Sequence, residues 1–125
     1  MTRTILVVDD EPDVESLFRQ HLRREIRDGT VSFRFAESGD EALRILDECG
    51  PGLDMVIFSD VNMPKMSGLE LLAILRKRYP QLRIFIVTAY GTEEMAEEVK
   101  GLGGQGLIPK PVDFLSLKDL LLMGR

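Results

Sequence analysis

Residues 55–64, with the sequence MVIFSDVNMP, constrain the fold more than any other part of the chain. The stretch begins with four apolar residues, which indicate a strand covered on both faces, because a strand with one exposed face alternates apolar and polar side chains. Asp60 and Asn62 favour a turn, and Pro64 favours extended geometry before it, so Asp60 is predicted at the strand's carboxyl end. Ligands bind at this edge of open α/β sheets. On this stretch alone, an Asp that only makes a turn is an equally good interpretation.

Four further segments predict the other strands. Residues 5–8, 84–87 and 107–108 are apolar throughout, which indicates buried strands. Residues 31–35 alternate apolar and polar side chains, as a half-covered edge strand does. A helical pattern follows each strand, so strand and helix alternate five times. This order predicts the α/β class, with a doubly wound parallel sheet of five strands and helices on both faces.

Helix boundaries and buried faces are predicted from caps and apolar spacing. The first helix is predicted as one unit whose apolar residues run from Val14 to Ile26, and the second is predicted to end at the sequence Gly50, Pro51 and Gly52. Ser67 and Glu70 have the spacing of a capping box. The helix after them carries Leu69, Leu72, Ala73 and Arg76 along one stripe and is predicted to stop near Pro80.

Length, charge and cysteine content limit the class of protein. A chain of 125 residues is predicted to form one domain, over residues 1–125. The formal net charge of -5 gives this segment no electrostatic footprint for direct binding of nucleic acid. The lone Cys49 calls for no oxidising compartment, and the apolar runs are too short for a signal peptide or a membrane span. We therefore expect a cytoplasmic protein with no membrane partner.

The predicted chemistry appears where the carboxyl ends of the strands meet. The first strand is followed by Asp9 and Asp10, the third ends at Asp60, the fourth ends at Thr88, and Lys110 follows the fifth. Three neighbouring carboxylates need a cation in order to remain ionised together, and oxygen ligands favour magnesium. With the hydroxyl and the ammonium they suit a transferred phosphoryl group, which Asp60 would accept. Each residue alone has an ordinary interpretation, as a helix cap or a solvated side chain.

Four motifs in order resemble the receiver domain of bacterial two-component response regulators, including the chemotaxis regulators. They are VVDDEP at 7–12, SDVNMPKMSG at 59–68, VTAY at 87–90 and PKP at 109–111. The resemblance covers nearly the whole chain. It implies a flavodoxin-like fold with strand order 2-1-3-4-5, and phosphorylation of Asp60 by a sensor histidine kinase or a phosphotransfer protein. It also implies a downstream effector domain or protein, and the chain can be the N-terminal part of a longer protein.

The resemblance further implies the roles of individual residues. Magnesium would be bound by the carboxylates of Asp10 and Asp60, by Asp9 through water, and by the backbone carbonyl of Asn62. Thr88 and Lys110 would hold the phosphoryl oxygens, together with the backbone amide of Ala89. Catalytic roles thus fall on three residues, Asp60, Thr88 and Lys110.

One departure from the family concerns the switch. The family usually has an aromatic residue three positions before the lysine, and this chain has Leu107. We expect Tyr90 to supply the aromatic side chain and to screen the phosphoryl group from water, although an exposed Tyr90 in a loop is an equal alternative. The helix after Thr92 has few apolar residues and is expected to be the least tightly held, so the signal would leave through this fourth predicted helix and the fifth strand.

Two other classes of function compete with a phosphorylation-controlled module. A phosphatase of the haloacid dehalogenase type also uses an Asp at a strand end, but it needs a second Asp two residues later as general acid and base. Here that position is Asn62, which cannot shuttle a proton. We therefore expect no enzyme beyond self-catalysed phosphotransfer and slow autodephosphorylation. A phosphorylation-independent interaction domain is disfavoured by the complete acidic set.

Overall fold

The computed structural model describes residues 2–50 and 54–123, except for the side chains of residues 122 and 123. These described residues form five strands and six helices, and each strand is followed by one helix except β1, which is followed by two. In chain order they are β1 (Arg3–Val8), α1 (Pro12–His21), α2 (Arg23–Asp28), β2 (Val31–Ala36), α3 (Gly39–Cys49), β3 (Met55–Asp60), α4 (Gly68–Arg78), β4 (Arg83–Thr88), α5 (Glu93–Gly101), β5 (Gly106–Pro109) and α6 (Phe114–Met123). None of the described helices is long and apolar enough to cross a membrane.

The sheet has the order β2-β1-β3-β4-β5, and all neighbouring strands are parallel. The predicted α/β class and the strand order 2-1-3-4-5 are therefore confirmed. All six residues of the central strand β3 are buried, as its continuous apolar sequence predicts. The edge strand β2 alternates buried and exposed residues over its first four positions. Because all strands are parallel, their carboxyl ends lie at one edge of the sheet.

Helices cover both faces of the sheet and form two apolar cores. One core contains side chains of α1 and α6, such as Phe18 and Leu117, packed on strand residues such as Phe58. The other contains side chains of α3, α4 and α5, such as Leu72 and Val99. A residue facing one core is followed along a strand by a residue facing the other. This arrangement is the doubly wound fold that the sequence predicts.

The first predicted helix is divided into α1 and α2 at Leu22, whose backbone angles are φ -106° and ψ 12°. Hydrogen bonds of helical type continue across the break, because the amide of Leu22 donates to the carbonyl of Phe18 and the amide of Ile26 donates to the carbonyl of Leu22, each at 2.9 Å. The helical spacing of apolar residues continues through Leu22, so the sequence pattern could not predict the break there. Consequently the fourth predicted helix is α5 in the structure.

The stripe of α4 that begins with Leu69 is only partly the face that the structure buries. The fully buried leucines are Leu71, Leu72 and Leu75, whereas Leu69 and Ala73 are half-buried. Apolar residues surround most of this helix, so periodicity did not define which face meets the sheet. The predicted capping box is confirmed, with both reciprocal hydrogen bonds present at the start of the helix. In α3, Gly50 follows the last helical residue, whereas the predicted breakers Pro51 and Gly52 lie outside the described residues.

Candidate functional site

An acidic cluster lies at the carboxyl edge of the sheet, between the first and third strands. Val8 of β1 pairs with Ser59 of β3, so the residues that follow each of them, Asp9 and Asp60, are neighbours. Asp10 extends the cluster towards solvent. The three carboxylates each offer an oxygen within 4.8 Å of the others. The predicted convergence of these acidic residues is therefore present in the structure.

Burial makes it energetically costly to keep the carboxylates of this cluster ionised. Asp9 is 3% exposed and Asp60 is 9% exposed, and both therefore have lost much of their hydration. Burial raises the pKa of Asp9 above its ordinary value, the backbone amide of Glu11 acts in the opposite direction by donating to its carboxylate, and the charge of Asp60 raises the pKa further. The donor set fits a magnesium ion, because three hard carboxylate oxygens gathered at one point provide both the ligand type and the negative charge that this ion prefers.

Lys110 is the cation of the site. Its Nζ lies 3.0 Å from Oδ1 of Asp60 and 3.4 Å from Oδ2 of Asp9. Burial alone would lower the pKa of Lys110, but the hydrogen bond to Asp60 and the two negative charges outweigh it, so the pKa is raised. The backbone amide of Lys110 donates to the carbonyl of Thr88 at 3.0 Å, which fixes the lysine beside the end of β4. The ammonium group is therefore held charged between two carboxylates.

Thr88 occupies the end of β4 and is 3% exposed. Its hydroxyl oxygen accepts a hydrogen bond from the backbone amide of Tyr90 at 3.2 Å. The ring of Tyr90 points away from the core, since the residue is 82% exposed. Leu107 is half-buried, and a Cβ added to Gly91 would lie 3.2 Å from its Cδ1 and 3.3 Å from Cγ2 of Thr88. The side chains of Leu107 and Thr88 therefore both lie close to Gly91.

The loop from β3 to α4 carries Asn62, which is exposed. A close approach of the backbone holds this loop, because the amide of Gly68 donates to the carbonyl of Val61 at 2.9 Å. A Cβ at Gly68 would lie 2.2 Å from the carbonyl oxygen of Asp60. Sequence reasoning gave Gly68 no role, although a glycine just after a helix cap was the available signal. Only a residue without a side chain lets α4 start this close to the acidic cluster.

A cleft of about 220 Å³ opens beside the acidic cluster, between α1 and the loop from β5 to α6. Asp9, Asp60 and Lys110 lie on its wall, and the remaining lining is largely apolar. The lining of the cleft comprises Val7, Val8, Asp9, Glu11, Val14, Leu17, Phe18, Phe58, Asp60, Val87, Lys110, Pro111 and Val112. Sequence patterns did not predict this cleft, because it is formed by residues distant along the chain.

The arrangement at this edge can receive a phosphoryl group. The carboxylate of Asp60 has oxygens that can act as nucleophiles, and the ammonium of Lys110, 3.0 Å from it, is a positive charge that can attract phosphoryl oxygens. The sequence also predicts a hydroxyl group at this edge of the sheet. It belongs to Thr88, which lies at the end of β4, the strand next to β3.

Comparisons with known proteins agree with this geometry. Residues 5–122 match the family model of the response regulator receiver domain. The chain is 37% identical over 117 residues to sensor kinase CckA of Brucella abortus, covering 94% of this chain and 12% of that protein. It is 32% identical over 119 residues to sporulation initiation phosphotransferase F of Bacillus subtilis, covering 95% of this chain and 90% of that protein.

A solved structure extends the similarity to three dimensions. The chemotaxis protein CheY4 of Vibrio cholerae matches with a TM-score of 0.83 and 29% identity, over 98% of each chain. Some relatives are much longer, and the chain spans 12% of the length of CckA. The match to the family model covers nearly the whole described chain and agrees with the strand order and the acidic edge. The chain therefore belongs to the family of response regulator receiver domains, the signalling modules of two-component systems.

Proposed function

We propose that this domain accepts a phosphoryl group on Asp60 in a magnesium-dependent reaction and transmits the change through α5 and β5. The observation that carries the proposal is the cluster of Asp9, Asp10 and Asp60, with carboxylate oxygens within 4.8 Å and with Lys110 3.0 Å from Asp60. A sensor histidine kinase or a phosphotransfer protein would supply the phosphoryl group, and an effector domain or protein would receive the signal. The domain would act in the cytoplasm.

The three acidic residues and Asn62 would bind magnesium in different ways. Asp10 and Asp60 would hold magnesium by their carboxylates, Asp9 would do so through water, and the backbone carbonyl of Asn62 would complete the protein's share of ligands. When bound, magnesium neutralises negative charge on the phosphoryl oxygens and the carboxylates. Without a metal ion, Lys110 is the cation that pairs with these two buried acids among the residues that the structure describes.

The side chains around Asp60 would carry the transfer. A carboxylate oxygen of Asp60 forms a bond to phosphorus while the bond from phosphorus to the donor's leaving group breaks, and the leaving group keeps that electron pair. Lys110 stabilises the phosphoryl oxygens by charge, and the hydroxyl of Thr88 donates a hydrogen bond to one of them. Asn62 cannot act as a general base towards water, so phospho-Asp60 is expected to persist rather than turn over as in a phosphatase.

The switch would begin at Thr88. Movement of its hydroxyl towards the phosphoryl group would break the hydrogen bond from the amide of Tyr90 and would shift the segment that leads into α5. Leu107 and the methyl group of Thr88 both lie close to Gly91, so Leu107 would move into space that opens there when Thr88 shifts. Tyr90 would screen phospho-Asp60 from water. For this, the exposed ring of Tyr90 would have to turn inward.

Labelling with a small phosphodonor tests the phosphorylation site. Acetyl phosphate and magnesium should add one phosphoryl group to the protein, and Asp60→Asn should abolish the addition. Asp119→Asn, which removes an exposed carboxylate of α6, is the matched control and should be labelled like the wild type. Label on another residue, or undiminished labelling in excess chelator, would overturn the proposal.

Two variants separate the proposed switch residues. Tyr90→Ala should shorten the lifetime of phospho-Asp60 if the ring screens the phosphoryl group, and Leu107→Ala should weaken the link between phosphorylation and the movement of α5. Dephosphorylation rates and hydrogen exchange of α5 measure the two effects. Tyr90→Ala can leave both the dephosphorylation rate and the hydrogen exchange of α5 unchanged, while in Leu107→Ala the exchange of α5 no longer responds to phosphorylation. In that case Leu107 is the switch, and the role proposed for Tyr90 is wrong.

A further inference from the structure

We infer that the cleft beside Asp60 receives the acyl group of small acyl phosphates, so that the domain reacts faster with longer apolar acyl phosphates than with acetyl phosphate. This inference rests on the proposed phosphorylation of Asp60 and adds a donor preference to it. The cleft joins the charged residues Asp60 and Lys110 to a largely apolar wall within one space of about 220 Å³. A donor with a charged phosphoryl end and an apolar end matches both parts.

The wall of the cleft is apolar and partly open to water. Leu17 is 42% exposed, and Val14 and Val112 are half-buried, although all three are apolar. Phe18 and Phe58 close the inner side and are almost completely buried. An acyl chain that covers this wall removes apolar surface from water on both partners, which favours its binding.

Charge is confined to one part of the lining. The charged residues that line the cleft are Asp9, Glu11, Asp60 and Lys110, and Glu11 is tied to Asp9 by its backbone amide at 2.9 Å. Leu17 and Val112, which come from α1 and from the segment after β5, contribute no polar side chain. A donor whose leaving group is charged or strongly polar therefore gains nothing from this wall.

The size of the cleft suits a short acyl chain. The cleft volume of about 220 Å³ exceeds the roughly 150 Å³ of an engineered apolar protein cavity that binds benzene. In an in-line displacement the leaving group lies on the side of phosphorus opposite the attacking oxygen of Asp60. The acyl group of a bound donor then extends from phosphorus away from Asp60, and we place it against the apolar side chains that line the same cleft.

The reaction is balanced without another reactant. A carboxylate oxygen of Asp60 forms the new bond to phosphorus, and the bond from phosphorus to the acyl carboxylate oxygen breaks. The electron pair of that bond leaves with the acyl group as a free carboxylate anion, so no proton has to be supplied. Acetyl, propionyl and butyryl phosphates share this leaving group chemistry and differ only in the length of the apolar chain.

The test compares rates of labelling with acetyl, propionyl and butyryl phosphates at equal, subsaturating concentrations with magnesium. Each added methylene that is buried should raise the rate about fourfold, so butyryl phosphate should react about fifteenfold faster than acetyl phosphate. Intact mass spectrometry measures the rates, and phosphoramidate, which has no acyl group, serves as the reference donor. Excess chelator confirms that each reaction uses the same site.

Two variants with matched exposure locate the preference. Leu17→Asn replaces an apolar side chain of the wall by a polar one of similar size and should reduce the ratio of butyryl to acetyl rates to about one. Leu120→Asn changes a leucine of α6 that is 39% exposed and does not line the cleft, so it should keep the ratio of the wild type. Val14→Thr provides a second, conservative change of the wall and should lower the ratio as well.

The outcomes separate the inference from the proposed function. Equal rates for the three acyl phosphates, with phosphoramidate also labelling Asp60, would overturn the donor preference and leave the phosphorylation site intact. A ratio that falls equally in Leu17→Asn and Leu120→Asn would show that the cleft does not select the donor. Absence of labelling by every donor would contradict the proposed function itself. The wild-type series decides the matter even if a variant fails to fold, which circular dichroism would reveal.

Discussion

The helices α4 and α5 lie on the same face of the sheet and follow neighbouring strands, but they are held very differently. In α4, Leu71, Leu72 and Leu75 are completely buried. In α5, Val99 is the one buried residue among those that the structure describes. Since burial of apolar side chains is the main source of helix stability in a folded domain, α4 is anchored along its length and α5 chiefly near its carboxyl end.

The side chains on the surface of α5 weaken it further. Glu93 and Glu97 are four residues apart, as are Glu94 and Glu98, and all four are exposed. Like charges at this spacing destabilise a helix by about 0.2–0.5 kcal/mol per pair. No ion pair to these four glutamates is found among the described residues.

Arg76 marks where the two helices are tied together. From the last turn of α4 its guanidinium donates to the carbonyls of Pro80, Leu82 and Gly103. Gly103 lies just after α5, so the carboxyl end of that helix is connected to α4 through this contact. The amino end of α5 instead follows the segment that leaves Thr88. A change at the acidic cluster should therefore move the amino end of α5 and leave α4 in place.

The largest expected effect is on core packing. Leu75→Ala should lower the free energy of unfolding by about 2–5 kcal/mol, because it removes a completely buried side chain and leaves a cavity. Val99→Ala removes fewer buried groups and should cost about 1–2 kcal/mol. Urea denaturation of both variants measures the difference. Equal losses would break the contrast between the two helices.

Two glycine substitutions provide a second test. Gly68→Ala should destabilise the domain by about 1–3 kcal/mol, since the new Cβ would meet the backbone of Asp60, which cannot yield as a side chain would. Gly101→Ala, at the end of α5, meets nothing within 4 Å and should raise stability by about 0.5 kcal/mol. Thermal melting compares the two. A tolerated Gly68→Ala would show that the start of α4 is looser than described.

The caps of the two helices are expected to differ in how their loss spreads. Ser67 and Thr92 each accept a hydrogen bond from a backbone amide of the first turn, at 3.1 Å. Replacing either by Ala should cost about 1 kcal/mol. Loss of Thr92 should appear mainly as faster hydrogen exchange within α5, whereas loss of Ser67 should lower global stability. If Thr92→Ala leaves exchange in α5 unchanged, the helix is not marginally held.

The smallest effect concerns charge at the edge where both helices start. Because the pKa of Asp9 is raised in the folded state above its ordinary value of 3.8, the metal-free protein is stabilised by the protonated form. That contribution is fully present below about pH 3.8 and is lost as the pH rises through the folded-state pKa. At neutral pH, Asp9→Asn should therefore be slightly more stable than the wild type without metal. Urea melts against pH should show this difference disappearing at low pH.

The sequence predicted the sheet and its acidic edge for a simple reason. Continuous apolar runs mark strands buried on both faces, and in a parallel sheet the residues after them, such as Asp9 and Asp60, must meet. The buried face of α4 was harder, because apolar residues on most sides of the helix leave its rotation to tertiary packing. The role of Gly68 and the cleft lined by Leu17 and Val112 depend on approaches between segments far apart in the chain, which periodicity does not encode.

Hydrogen exchange of the wild type, with and without acetyl phosphate and magnesium, tests the central claim most directly. Phosphorylation of Asp60 should change exchange in residues 89–96, which include the amino end of α5, and should leave α4 unchanged. Asp60→Asn under the same conditions should show no such change. Altered exchange in α4 with none in residues 89–96, or the same change in Asp60→Asn, would contradict the account.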